Sequence, residues 1–575
     1  MNNGQIANIF RNMADILEIE GENLFRIKAY RKAADTIDGL SEDISRIAAK
    51  DELLKLPGIG KDLASKIKEF LNTGKISAYE KLRKSTAPVL LDMLNIPGVG
   101  PKTAKILYDN LKVKSLNGLE EKAKAHRISG LPGIKEKTEE NILRGLEFLK
   151  KDKGRMLLDT AFMTAEYIVS ELKGLPEVIK ISPAGSLRRM KETVRDIDIL
   201  VTSRKPERVM DAFANLPNVD TLTARGPTKS SVLTKDNARV DLRVVSPESY
   251  GAALMYFTGS KEHNVKLREM AVKRGLKINE YGVFNVKTNR RIAGNSEAEI
   301  YDIFKMKYIE PELRENTGEI ESALKGTLPK LIQLADIKGD FHVHTEASDG
   351  ALNISEIAKI ARKKRYDYVV ITDHSSSLKI AGGLSDRQLL KQKEKIAAFN
   401  KKSKDIKLLA GSEVDILDDG SMDYRDDLLK ELDFVIAAIH TGFHQPKDKL
   451  TTRIIKAMHN KYVNLIAHPS GRLIGERAAY ELDYDKILAA ASETGTAIEI
   501  NAYPQRLDLT DINSRRAKEV AGVKLAISTD AHVASQFDNM IYGVSVARRG
   551  WLEKKDIINS LPLKELVKFV EKKRS

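Results

Sequence analysis

Over residues 1 to about 155, apolar positions recur at helical spacing and Gly-Pro turns interrupt them, which predicts a run of helices with little strand. From about 156 to 320 the spacing is mixed, and short segments of period two alternate with helical ones, as in an α/β arrangement. From residue 337 onward, short apolar segments alternate with Lys/Glu-rich amphipathic stretches. That repetition predicts parallel strands with intervening helices, closed into a barrel. The pattern changes divide the chain at about 155 and about 320, with a linker at 318–336 before the last region, 337–575.

One central stretch carries unusual chemistry. Gly185-Ser186-Leu187-Arg188-Arg189 is a small-residue turn, followed by the short apolar strand Asp196-Ile197-Asp198-Ile199-Leu200. Successive strand residues point to opposite faces, so Asp196 and Asp198 share one. Adjacent carboxylates repel unless a cation lies between them, and a Gly-Ser turn with arginines suits a polyphosphate. An exposed strand end with two solvated acids is the simpler reading of this stretch alone. A second strand, Arg239-Val240-Asp241-Leu242-Arg243, places Asp241 where it can join the pair if the strands are neighbours. Three carboxylates can hold two divalent ions, as nucleotidyl transfer requires. Tyr256-Phe257-Thr258-Gly259 follows, either core packing that ends at a turn or an aromatic wall for a sugar and base.

The helical region contains three similar turns, Leu56-Pro57-Gly58-Ile59-Gly60, Ile96-Pro97-Gly98-Val99-Gly100 and Leu131-Pro132-Gly133-Ile134-Lys135. Each precedes a helix with lysines near its start. Glycine permits close backbone approach, and a helix N-terminus offers unpaired N–H groups to phosphate. A single such turn is usually a helix connection; three in a basic region point to the DNA backbone.

Eight of the ten histidines lie from His342 onward, and all of them but His444 and His459 fall at the ends of short apolar segments. These are Asp340-Phe341-His342-Val343-His344, Ile371-Thr372-Asp373-His374, Ala438-Ile439-His440, Ala467-His468 and Asp530-Ala531-His532, joined by Asp349 and Glu413. In a parallel barrel, residues at the C-terminal strand ends converge at one mouth. Imidazole and carboxylate without sulfur suit zinc, manganese or iron, and a multinuclear site of that kind points to phosphoester hydrolysis.

Composition narrows the setting. The chain has 575 residues, 42% hydrophobic and 31% charged, with no cysteine, which excludes disulfides and thiolate metal sites and makes the cytoplasm the default location. No apolar run approaches the ~18 residues of a membrane span. A formal charge of +15 favours a polyanionic partner.

The three turns resemble helix-hairpin-helix motifs, and Phe25-Arg26-Ile27-Lys28-Ala29-Tyr30 resembles the N-terminal domain of family X DNA polymerases. Gly185-Ser186, Asp196-x-Asp198, Asp241, Tyr256-Phe257-Thr258-Gly259 and Ile278-Asn279-Glu280-Tyr281 resemble the palm and thumb of that family. The histidine segments resemble the polymerase-and-histidinol-phosphatase (PHP) domain, a distorted seven-stranded α/β barrel. The resemblance implies a multidomain chain. An 8-kDa-like domain (1–84) precedes a fingers-like helix-hairpin-helix domain (85–155), an α+β nucleotidyltransferase palm (156–255), a thumb (256–317) and, past the linker, the PHP barrel.

By matching position, Asp196, Asp198 and Asp241 would hold Mg²⁺ or Mn²⁺. Gly185, Ser186 and Arg189 would bind the nucleotide phosphates, Tyr256, Phe257 and Gly259 the sugar side, and Asn264 and Arg268 the minor-groove side. Tyr30, Gly58, Gly60, Lys66, Gly98 and Gly100 would contact DNA. Lys66 stands where some relatives carry a deoxyribose-phosphate lyase nucleophile, although Phe25 and Asp62 replace basic residues there. In the barrel, His342, His344, Glu413 and Asp530 would hold one ion, Asp349, His374 and His532 a second, and Glu413, His440 and His468 a third, the ions being Mn²⁺, Zn²⁺ or Fe. The implied protein is a monomeric gap-filling polymerase of base excision repair. Its substrates would be gapped or primed DNA with a 5′-phosphate and deoxynucleoside triphosphates, and its barrel would add 3′→5′ exonuclease and abasic-site endonuclease activity. Two alternatives stay open, an end-binding nuclease with a degenerate polymerase and a phosphatase of a small metabolite.

Overall fold

The computed structural model describes residues 2–38, 44–94, 96, 99–152, 154–520 and 522–575. Pro97 and Gly98 of the second turn lie outside the described residues. No described helix is long and apolar enough to cross a membrane.

The N-terminal region is helical and has two apolar cores. The first runs from Ile6 to Ile76 around the paired helices Asn2–Glu20 and Leu24–Asp38. The second gathers Val89 to Leu146 and reaches back to Ile19. Gly58 sits at φ +79°, which a side chain would strain, and Gly60 is the extended N-cap of helix Lys61–Thr73. Gly100 caps helix Pro101–Leu111 in the same way, with Pro101 in its first turn where no N–H is needed.

The central sheet has the strand order Val178–Pro183, Asp196–Ser203, Arg239–Val245, Lys229–Thr234, Val219–Arg225. Only the Asp196 and Arg239 strands pair in parallel, with Asp198 opposite Asp241. Ile197, Ile199, Val201, Val240, Leu242 and Val244 face helices Leu158–Lys173 and Pro206–Ala214. On the other face Leu200 packs with Ala253 and Leu254 of helix Tyr250–Thr258. The aspartates stand on this second face, at the strand end next to the Gly185 turn.

Residues 261–325 form a smaller unit around the antiparallel meander Leu276–Asn279, Gly282–Asn285, Arg291–Ala293. Arg314 is fully buried there, and Glu297 binds both it and Arg188. The expected linker at 318–336 differs from an open connection. Its helix Glu319–Lys325 inserts Ile320 and Ala323 into this core, and fully buried Glu319 accepts from the amides of Asn316 and Thr317 and meets His263 Nδ1 at 2.7 Å. Apolar positions three apart in a short helix were enough to recruit the segment into the fold.

The C-terminal region is a parallel barrel whose seven strands follow chain order, from Gly339–Val343 to Leu525–Ser528. It is distorted at closure, because the first strand meets the chain just after the last one through an isolated bridge between Val343 and Ala531. Buried Asn559 completes the seam by donating to the carbonyls of Gly339 and Ile527 and accepting from the Ile527 amide. Phe341, Tyr368, Val370, Phe434 and Ile436 share a core with Leu566 and Val570 of the terminal helix Leu563–Arg574. The barrel's outer helices share a second core with the central sheet, where Phe162 meets Tyr542 edge-on at 6.1 Å.

Glu319→Ala leaves His263 and two amides without their acceptor. We expect about 3 kcal/mol of lost stability in this unit, read from chemical denaturation; a loss below about 1 kcal/mol would show that the segment is only loosely held.

Candidate active sites

In the central sheet the glycine of the Gly-Ser turn is required by space. Gly185 has φ +64°, and a Cβ there would lie 2.3 Å from Asp198 Oδ2. The Ala184 amide donates to the Asp198 carbonyl at 2.8 Å, which ties the turn to the strand end. Burial, and then the charges of Asp241 and Asp196, push Asp198 up to about 6. Asp241 is also buried, yet Lys229 at 2.6 Å, Ser231 and Arg239 hold it below the usual carboxylate range. Arg239 Nε lies 3.8 Å from both Asp196 and Asp241. Asp241 Oδ1 is buried without a hydrogen bond. A cation would relieve both the raised Asp198 and the buried Asp241 oxygen that lacks a hydrogen bond. Among the described residues, however, the three aspartates do not form a group whose donor atoms all lie close enough to share one ion.

Around this group, Tyr256 and Phe257 meet edge-on at 5.1 Å, with the Arg243 guanidinium 4.4 Å above Phe257. Ser186 is half-buried. Arg189 donates through Nε to Glu315 at 3.0 Å and through Nη1 to the Thr258 carbonyl. A Cβ at Gly259 would sit 3.2 Å from Arg189 Nη1. Asn264 donates to the Tyr256 carbonyl at 2.7 Å, and Arg268 reaches the Asn264 carbonyl at 3.3 Å. Lys229 and Glu315 escaped the sequence reading, since neither lies in a patterned segment beside the aspartates.

At the N-terminal turns the picture is mixed. Gly58, Gly60 and Gly100 are at helix entries, as expected of backbone-binding turns. Tyr30, expected to contact DNA, is instead only 2% exposed, because it lies on the inward face of its helix with its ring edge-on to Phe10 at 5.5 Å. Lys66 extends above that ring, 13% exposed, and its ammonium pairs with Asp62 at 2.5 Å. That ion pair occupies the amine which a nucleophilic role would need free.

In the barrel, the nine sequence-predicted donors come together at the C-terminal strand ends. Among the described residues, three groups have donor atoms close enough to share an ion: His344, Asp349, His374 and His532; His342, His344 and Asp530; His374, Glu413 and His440. This division differs from the expected sets, with His344 and His374 each falling in two groups. His468 joins none of the three, yet its Nε2 is 2.9 Å from Glu413 Oε1. Glu413 is the hub, within 3.3 Å of His342, His374, His440 and His468.

His344 is fully buried with neither ring nitrogen hydrogen-bonded. Such burial is costly unless a cation takes the lone pair, so the donor set fits metal. Burial and the neighbouring His532 and His374 push His344 down to about 3, keeping it neutral. For His374 and His440 burial acts in the same direction but is outweighed: Glu413 with Asp349 raises His374 to about 10, and Glu413 with Asp415 raises His440 to about 9.

Two orienting carboxylates went unnoticed in the sequence. Asp415 meets His440 Nδ1 at 2.5 Å, and Glu499 meets His342 Nδ1 at 2.9 Å while accepting from the His468 amide. Such partners set which imidazole nitrogen faces a metal. The same-face spacing of Glu413 and Asp415 was the available signal for one of them.

An aspartate-bearing mixed sheet and a histidine-rich parallel barrel thus occupy one chain, the make-up of a nucleotidyltransferase joined to a phosphoesterase. Residues 253–315 match the DNA polymerase beta thumb, 1–76 a helix-hairpin-helix domain, 90–147 a helix-hairpin-helix tandem and 340–503 the PHP domain. The chain is 40% identical over 574 residues to the "DNA polymerase/3'-5' exonuclease PolX" of Bacillus subtilis, covering the whole of both. Its barrel half is 33% identical over 248 residues to a "probable phosphatase" of Thermoanaerobacter, 41% of this chain and 95% of that protein. The chain belongs to the family X DNA polymerases that carry a C-terminal PHP domain. It is an enzyme with nucleotidyl-transfer and hydrolytic centres.

The raised histidines give a signed expectation. At pH 7 His374 and His440 carry protons in the metal-free protein, because their pKa values lie above it. A metal that takes those nitrogens must displace them, so affinity falls as pH falls. Calorimetric titration with Mn²⁺ in two buffers of different ionisation enthalpy should show at least about one proton released per protein at pH 7. A buffer-independent heat would refute this.

Proposed function

We propose that the protein fills short gaps in DNA during base excision repair and trims or incises strands at its barrel. The observation that carries this reading is the pairing of Asp198 with Asp241 beside the Gly185 turn, in a chain that also gathers nine imidazole and carboxylate donors at the barrel mouth. Asp196, Asp198 and Asp241 would hold Mg²⁺ or Mn²⁺. Ions bound there would supply charge to stabilise the transferring phosphoryl group and to lower the pKa of the primer hydroxyl. Ser186 and Arg189 hold the outer phosphates, and Tyr256 and Phe257 wall the sugar. Gly58, Gly60 and Gly100 bring helix N-termini to the strand backbone, so binding is insensitive to sequence and weakens with salt.

In the barrel, His342, His344, Asp349, His374, Glu413, His440, His468, Asp530 and His532 would hold Mn²⁺, Zn²⁺ or Fe. Asp415 and Glu499 orient two of these imidazoles. Cleavage runs 3′→5′ and extends to abasic sites, and the protein acts as a monomer. The name of its Thermoanaerobacter relative supports a second reading, in which the barrel also accepts small phosphomonoesters.

Asp196→Ala should abolish nucleotide addition on gapped DNA, by on the order of 10³-fold or more, with nuclease activity kept. His344→Ala should do the reverse. Loss of both activities from either change in a folded protein would refute two separate centres. For Lys66, borohydride trapping on an incised abasic substrate should give little adduct while Asp62 is present; strong trapping that Lys66→Ala removes would restore the lyase assignment.

A further inference from the structure

The turn that follows Gly185–Arg188 runs from Arg189 to Glu192, and the barrel half grips it at both ends. Arg549, the last residue of helix Met540–Arg549, is buried and donates through Nη1 to the Arg189 carbonyl at 2.9 Å and to Glu315 Oε1 at 3.0 Å. The same Glu315 oxygen accepts from Arg189 Nε at 3.0 Å. On its other edge Arg549 is fixed by Asp511 Oδ2, at 2.9 and 2.7 Å. At the far end of the turn, Arg472 donates to Glu192 at 2.8 Å and to the carbonyls of Arg506 and Leu507, both at 2.6 Å. Arg506 itself lies 3.6 Å from Asp530 in the histidine-rich centre.

We propose that the PHP barrel completes the triphosphate site of the polymerase, with Arg549 as a positioning residue for Arg189. The inference rests on the reading of Arg189 as a phosphate-binding group. Two effects follow from the geometry. Arg549 anchors the Arg189 backbone, which sets where its guanidinium can reach. It also shares the single negative charge of Glu315, which would otherwise fall to Arg189 and, at 3.9 Å, Lys191, and compete more strongly with an incoming phosphate for Arg189. Asp511 holds the Arg549 fork in plane, so one rigid guanidinium serves four acceptors, the Arg189 and Glu312 carbonyls, Glu315 and Asp511, which a lysine point charge cannot do.

The test uses full-length protein on gapped DNA with Mg²⁺. Arg549→Met should raise KM for the deoxynucleoside triphosphate about tenfold, a change of 1.4 kcal/mol, and leave kcat within about twofold. Cleavage of bis-p-nitrophenyl phosphate at the barrel with Mn²⁺ should be unchanged. Adding Glu315→Gln to Arg549→Met should bring KM back down, because it removes the charge that then neutralises Arg189; a merely structural role predicts no such rescue. Should Arg549→Met not fold, Arg549→Lys, which keeps charge and bulk but lacks the fork, should show a smaller rise in KM of the same kind. An unchanged KM in the folded variant, or kcat and barrel cleavage falling together, overturns the proposal. Arg189→Lys separates the two readings: if its KM is also unchanged, Arg189 does not bind phosphate, whereas a raised KM there with none at Arg549 rejects the coupling alone.

Discussion

Carboxylates held close together in a poorly hydrated setting repel one another, and both halves of this molecule are organised around the positive charge that offsets the repulsion. In the central sheet, parallel pairing puts Asp198 opposite Asp241, and Lys229 and Arg239 lie against the group. In the barrel, Glu413 stands among four imidazoles, and Asp349 and Asp530 contact others. Without ions, protons or arginine and lysine side chains do part of this work. Metal binding is therefore an exchange of one positive charge for another, and its strength depends on pH and on the neighbouring cations.

Rigid backbone keeps these charges in place. Gly185 can approach Asp198 because it lacks a side chain. In the barrel the donors sit at strand ends whose positions are set by parallel register, and the seam between first and last strands is completed by Asn559. The shared core between the barrel's outer helices and the central sheet makes the two centres parts of one packed body, with Arg549 and Arg472 bridging them.

Much of this was legible from local pattern. Asp-x-Asp and His-x-His carry their geometry in their spacing, because side chains two apart on a strand share a face. The β-α repetition announced a barrel, and the Pro-Gly turns announced helix entries. What pattern could not show were contacts between residues far apart in the chain. Tyr30 reads as a surface aromatic beside basic residues, yet its helix turns it inward. The segment 318–336 reads as a connection, yet Glu319 reaches back to His263.

The sequence by itself determined the identity of the donors and the strands that carry them, since these follow from chemistry and a two-residue period. Only the tertiary structure decided how the donors divide into groups, which places His344 and His374 between two each and leaves His468 outside all three, with Nε2 against Glu413. It also decided that a barrel arginine stands behind Arg189. Those outcomes depend on distances of a few ångströms between elements separated by up to hundreds of residues, and such distances are set by packing rather than by periodicity.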